Sequence, residues 1–476
     1  MAVIAAYAVP HPPLILPEVG RGQERGIQST IDGYHAAAAR FADDKAETVV
    51  VVSPHSTMYA DYFHISPGSG ASGDMAGFGV KGPKTTIGYD EAFVEALEKA
   101  ASKKKLPAGR QGEKSEALDH GCVVPLRFFQ EAWDDFRVVR IGLSGLSAQE
   151  HYQLGQCIQE VAETTGRRTV LIASGDLSHR LKSDGPYGFA PEGPEFDRQV
   201  MEALGAGDFL ALMRMDPLLC ERAGECGWRA FVIMAGAFDG RQVAAKSLSY
   251  EGPFGVGYGI CAFSAGDTDA NRQIGKAYAR GVEESMTEVR QREDVYIRLA
   301  RHSLEEYILH GKRLKGIEDL PADLSRNLPD QLTRQRAGAF VSLKIEGRLR
   351  GCIGTISPVQ PTLLGEILHN AVSAAVEDPR FNPVEEKELA QLSVSVDVLG
   401  QPEPIDSMDA LDVQRYGVIV SHGYKRGLLL PDLEGVDTAA RQVEIAKQKA
   451  GIVPGESFQM ERFEVIRHEV GHELRG

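Results

Sequence analysis

Cysteine is scarce in this chain: six in 476 residues, at positions 122, 157, 220, 226, 261 and 352. So thin a distribution builds no disulfide framework, and it fits reduced thiols and a cytoplasmic location. Positive charge is also in short supply. Lys and Arg total 52 against 67 Asp and Glu, a formal net charge of −15. That excludes the basic face a nucleic acid or an anionic membrane needs, so no nucleic acid and no membrane is expected as partner. No run of about 18 apolar residues occurs, so no membrane-spanning helix is expected. The segment Met1–Ala6 is apolar without a basic flank and leads into His11-Pro12-Pro13 rather than a small-residue cleavage site. No signal peptide is therefore expected. No internal repeat relates the two halves.

What is present is ordinary globular material. Hydrophobic residues make up 43% and charged residues 25%, enough for a sizeable core. At about 150 residues per domain, the length predicts two or three domains. Residues 1–265 alternate strand-like runs (2–9, 47–53, 137–142, 168–174, 243–249, 257–264) with helix-like ones (23–43, 90–102, 122–132, 148–165, 195–205, 207–213, 227–238). This alternation predicts an α/β domain, a mostly parallel or mixed sheet flanked by helices. The stretches 64–87 and 103–116 read as surface loops, the second solvated through Lys103, Lys104, Lys105 and Arg110. Composition shifts after 265, and residues 266–292 read as a linker. From 293 an amphipathic helix at 296–308, a hairpin through Glu346-Gly347, a helix near 360–376 and strands near 391–399, 416–421, 426–430 and 460–467 predict a smaller α+β domain over 293–472.

Four histidines stand out in the first half. His11, His55 and His179 follow apolar runs that read as buried strands, and His120 lies in Asp119-His120-Gly121-Cys122. Residues just past the carboxyl ends of strands in an open α/β sheet converge on one rim, where ligands bind. Imidazoles with a carboxylate suit iron, manganese or zinc, and two His plus one acid leave open positions. His11 and His55 are the first two candidate ligands. Glu225, between glycines at the start of an apolar helix, is the third, with Glu221 and Glu251 as weaker choices. The structural alternatives are a rigid turn at Pro10–Pro13 and a helix-start role for Glu225.

These pieces carry a resemblance. His11-Pro12, Ser53-Pro54-His55, Leu118-Asp119-His120-Gly121 through Pro125-Leu126, Gly175-Asp176-Leu177-Ser178-His179 and Gly224-Glu225-Cys226-Gly227 make residues 1–265 resemble the class III extradiol ring-cleavage dioxygenases of the protocatechuate 4,5-dioxygenase β-chain (LigB-like) type. The resemblance implies Fe(II), with Mn or Zn as alternatives, held by His11, His55 and Glu225. It implies His179 as catalytic base and acid, and His120 as a site residue that assists with oxygen. The substrates implied are a small aromatic diol and O2, with ring opening beside the diol. The Memo family shares the expected fold without being an established dioxygenase and offers a thiolate at the third metal position. Glu225 and Cys226 stand side by side here, and the Gly-flanked Glu225 matches the dioxygenase pattern. A chain lacking the small partner subunit of the dioxygenases is compatible with a homo-oligomer.

Residues 293–472 resemble the AMMECR family domain through Leu349-Arg350-Gly351-Cys352-Ile353-Gly354, Glu377-Asp378-Pro379-Arg380-Phe381 and Arg426-Gly427-Leu428-Leu429-Leu430-Pro431. This implies a fold rather than a reaction, and Memo-like or radical-SAM proteins as pathway partners. Cys352 is a candidate nucleophile or a small strand residue, and Arg350 and Arg380 are candidate anion ligands or salt-bridge partners. His468-Glu469-Val470-Gly471-His472 spells the zinc-protease string H-E-x-x-H. That motif needs a helix and a third ligand. Here it follows a strand-like run and contains a glycine, so it is read as a coincidence.

Overall fold

The run Val49–Val52 has no polar alternation, the pattern of a strand covered on both faces, and all four side chains are fully buried. They belong to a computed structural model that describes residues 3–471 apart from Lys81, Asn327 and Glu434. The chain divides into two units, one up to Gly281 and one from Val282.

In the first unit, β1 (Val3–Val9), β2 (Thr48–Ser53), β3 (Arg137–Gly142) and β4 (Thr169–Ser174) run parallel, in the spatial order β3-β2-β4-β1. An antiparallel pair, β5 (Arg241–Glu251) and β6 (Tyr258–Thr268), extends the sheet beyond β1. The sheet is therefore mixed, a parallel core with an antiparallel edge. Flanking it are α1 (Gln28–Asp44), α2 (Glu91–Lys103), α3 (His120–Ala132), α4 (Ala148–Thr165), α5 (Glu192–Ala206) and α6 (Trp228–Gly236). Tyr34 and Phe41 of α1 and Phe129 of α3 close over Tyr7, Val49 and Val51 in one core. Register then sets the site: Val9 lies beside Ser174 and Val52 beside Ala173, so β1, β2 and β4 end at a common rim. Two differences from expectation are local. The stretches read as loops contain short ribbons, Gly70–Gly73 with Thr85–Gly88 and Phe63–His64 with Ala108–Gly109. A short helix, Pro217–Ala223, was not anticipated.

The span 266–292 holds the end of β6 and a long helix, α7 (Ile274–Arg292). In the second unit, α8 (Val295–His310) and α9 (Leu363–Val376) pack with Ala339, Val341 and Leu343 in one core. The sheet is β7 (Ala339–Ile345), β8 (Arg348–Gly354), β9 (Ser393–Leu399), β10 (Tyr416–His422), β11 (Lys425–Leu429) and β12 (Gln459–His468). Along these six the order is β8-β7-β9-β12-β10-β11, antiparallel throughout, and a short seventh strand, Glu403–Ile405, pairs antiparallel with β12. A helix that the sequence reading missed, α10 (Ala439–Ala450), packs against β10 and β11. Among the described residues, no helix is long and apolar enough to cross a membrane.

Candidate metal centre

Proline shapes the approach to the rim: Pro10 and Pro54 each precede a histidine just past a strand end. The result is convergence. His11 Nε2 and His55 Nε2 are 3.0 Å apart, and Cys226 Sγ is 3.7 Å from His11 Nε2. His11 is buried, Cys226 half-buried and His55 exposed. All three ligand atoms lie within 4.8 Å of one another. Around a tetrahedral metal with bonds of about 2.0–2.3 Å, ligand atoms stand roughly 3.3–3.7 Å apart. The observed spacings are of that scale, and two imidazoles with a thiol form a donor set that fits a metal ion.

Hydrogen bonds fix which nitrogen of His11 faces this group. Ser174 Oγ lies 2.6 Å from the Gly121 carbonyl and 2.9 Å from His11 Nδ1. A carbonyl only accepts, so the Ser174 hydroxyl proton goes to Gly121. His11 Nδ1 must then donate to Ser174, which leaves a lone pair on Nε2 pointing at His55 and Cys226. Burial, followed by the charge of His55, lowers the His11 pKa to about 3, so the ring is neutral at any working pH. The His11 backbone N–H donates to Asp176 Oδ1 at 2.7 Å. Burial lifts the Asp176 carboxyl to about 6.

His55 is placed by a separate network. Asp119 accepts from the Ser53 and Ser56 hydroxyls, 2.6 Å each, and from the Cys122 N–H that opens α3. One carboxylate thus ties the loop bearing His55 to the helix bearing His120. Burial alone would raise Asp119, but the Ser53 and Ser56 hydroxyls and the Arg140 charge hold it below the usual range. His120 sits 4.1 Å from His55 and 5.3 Å from His11 by ring centroids. Its pKa falls to about 4, first through burial and then through the other two imidazoles. His179 acts electrostatically on His11 and lies 5.1 Å from the Tyr187 ring, and among the described residues its buried Nδ1 has no hydrogen-bond partner.

The expected third ligand, Glu225, and its neighbour Cys226 take different positions. Glu225 accepts from the Trp228 N–H at 2.6 Å and so serves the first turn of α6, whose N-cap is Gly227, a residue without a side chain. The next residue turns its sulfur toward His11, and Cys226 groups with the two histidines. Close packing enforces this register. A Cβ on Gly175 would stand 2.0 Å from Gly227 Cα, so the loop after β4 and the start of α6 touch backbone to backbone. Glu251 is committed elsewhere, accepting from Thr30 N and Oγ at 2.6 and 2.7 Å, and Glu221 is exposed. Ser174, Asp176 and Asp119 were not singled out in the sequence. The signal for the last two was their position immediately before or within the motifs that carry the histidines.

In the H-E-x-x-H string, His468 stands on a strand rather than on the helix that the zinc-protease motif needs. His468 ends strand β12, pairs with Val396, contacts Asp294 at 2.5 Å and stacks on Tyr296. His472 lies outside the described residues.

Comparison with known proteins follows the same division. A family model described as the catalytic LigB subunit of aromatic ring-opening dioxygenase matches residues 5–261, and the AMMECR1 model matches residues 297–471. A protein of Clostridium acetobutylicum is 37% identical over 98% of this chain and 100% of its own length. A Thermotoga maritima protein is 46% identical over 37% of this chain and 98% of its own length. A crystal structure of an uncharacterized protein from Pyrococcus horikoshii, 32% identical, covers 36% of this chain and 88% of its own, with a TM-score of 0.33. The chain thus belongs to the LigB family of catalytic ring-opening dioxygenase subunits through its first half, and carries an AMMECR1 domain as its second.

Proposed function

We propose that the first unit is a metal-binding module of the Memo kind, holding one ion through His11 Nε2, His55 Nε2 and Cys226 Sγ. The observation that carries this reading is the Cys226 sulfur 3.7 Å from His11 Nε2, while Glu225 is bound to the start of α6. Thiolate with two imidazoles suits zinc, copper or iron, and it differs from the two-His-one-carboxylate set of ring-cleaving Fe(II) oxygenases. A bound metal would supply Lewis-acid polarisation of a ligand oxygen. His179 offers a buried, unpartnered Nδ1 at which a proton can be held or moved. The chain would act in the cytoplasm as a component of a pathway that includes a radical-SAM partner.

A second reading is extradiol cleavage of a catechol with Fe(II) and O2, with His179 as base. It is favoured by the imidazoles of His120 and His179, each set against an exposed aromatic ring: Phe78 lies 5.2 Å from His120 and Tyr187 5.1 Å from His179. Metal analysis and a catechol panel separate the two. The first reading expects stoichiometric metal that is lost in His11→Ala, His55→Ala and Cys226→Ser, with no ring-fission colour from anaerobically iron-loaded protein given catechols and O2. Ring-fission colour that survives Cys226→Ser and disappears in Glu225→Gln would overturn it.

A further inference from the structure

In the second unit, β7 alternates. Ala339, Val341 and Leu343 face the core with α8 and α9, while Phe340, Ser342 and Lys344 face the other way, as a period of two requires. That other face lines a cavity of about 640 Å³, shared with Cys352 of β8, residues of β11 and Lys449 of α10. The volume is that of a small-molecule site. Its walls include apolar side chains, Phe340, Leu349, Ile356 and Leu428.

The charges in it are unevenly used. Asp397 pairs with Arg467 at 2.8 Å, and Glu469 and Asp432 also act on Arg467, so the acids of the cavity serve that one cation. Arg426 shares Glu461 at 3.2 Å. Among the described residues, Lys344 and Lys449 have no carboxylate within salt-bridge distance. Cys352 lines the same cavity. It is half-buried and opposite Ser342 in the ladder, and the Ser342 hydroxyl donates to its sulfur at 3.2 Å. The nearby carboxylate, Asp378, is held by Arg380 at 2.7 Å and by the Cys352 N–H at 2.9 Å. Lys449 and Arg380 both act electrostatically at this thiol.

We propose that this cavity binds a small anionic molecule with an apolar body, its carboxylate or phosphate held by Lys344 and Lys449, and presents it to the thiol of Cys352. Its lining residues all belong to the second unit.

Alkylation kinetics of the full chain test this without knowledge of the natural ligand. In either reaction the Cys352 thiolate forms a bond to the reagent methylene carbon, iodide leaves, and the thiol proton passes to buffer. Iodoacetate carries a carboxylate and iodoacetamide does not, so their rate ratio at Cys352, read by peptide mass, reports attraction of an anion. Relative to the ratio for glutathione, the site should favour iodoacetate by roughly ten-fold, the scale of local concentration in a charged cleft. Inorganic phosphate should slow the iodoacetate reaction selectively. Lys449→Gln, at an exposed helix position, and separately Lys344→Gln should each reduce the preference. A ratio equal to that of glutathione, or a preference unchanged in both variants, would overturn the proposal.

Discussion

Asp197 is a buried carboxylate with no cationic partner among the described residues, and replacing it should change how stability responds to pH. Its carboxyl accepts from the Ser178 N–H at 2.7 Å and from the Tyr250 hydroxyl at 2.9 Å. Burial outweighs both bonds and lifts its pKa from 3.8 to about 7. The sign follows from proton linkage. Between those values the folded chain binds a proton that the unfolded chain has lost, so stability falls as pH rises through the window and levels off above it. A lift of this size corresponds to on the order of 4 kcal/mol across the window. Asn at this position keeps an acceptor for Ser178 and a polar group for Tyr250 but has nothing to ionise. Urea unfolding of wild type and Asp197→Asn should be followed at half-unit steps from pH 4 to 8 through a probe in the first unit. The variant should gain on the wild type steadily with pH, by a few kcal/mol at pH 8. Parallel curves would refute the reasoning. The consequence reaches the site, because Asp197 holds Ser178 beside His179.

Ser174→Ala removes the acceptor that fixes the His11 tautomer. Metal affinity should fall by about 10–100-fold, the usual cost of losing a hydrogen bond that orients a metal-bound imidazole, as read by chelator competition with fold and melting otherwise near wild type. Gly175→Ala drives a methyl into Gly227. It should cost roughly 1–3 kcal/mol and abolish metal binding, since Cys226 can no longer reach His11; retained stoichiometric metal would contradict that account. Burial, together with the charges of Asp176 and Glu225, holds the Cys226 thiol above its usual pKa, so metal must displace a proton. Zinc affinity should therefore climb about ten-fold per pH unit near neutrality, and the slope should be shallower by one proton in Cys226→Ser.

Much of the frame was legible because the physics was local. Val49–Val52 could only be a strand buried on both faces, and Ser147 with Glu150 forms a capping box that starts α4 where the pattern placed it. The rim of histidines followed from strand ends and parallel order. Where sequence reasoning stopped, a side chain had two competing duties. Glu225 and Cys226 are neighbours, and only the fold shows that the Trp228 N–H donates to the Glu225 carboxylate while Cys226 Sγ lies 3.7 Å from His11 Nε2. Ser174 looked like the last residue of a strand, and its role depends on Gly121, distant in sequence. The helix α10 escaped notice because only Gln442, Val443 and Ala446 are buried along it, too thin a stripe for periodicity to announce.

In the metal centre proposed above, sulfur rather than carboxylate completes the ligand set. Cobalt(II) loading of the full chain tests it directly, because cobalt bound to thiolate gives a near-ultraviolet charge-transfer absorption that oxygen ligands do not. Wild type and Glu225→Gln should show this absorption, and Cys226→Ser should lose it. An absorption that persists in Cys226→Ser, or cobalt binding that fails in Glu225→Gln while the fold is intact, would contradict it.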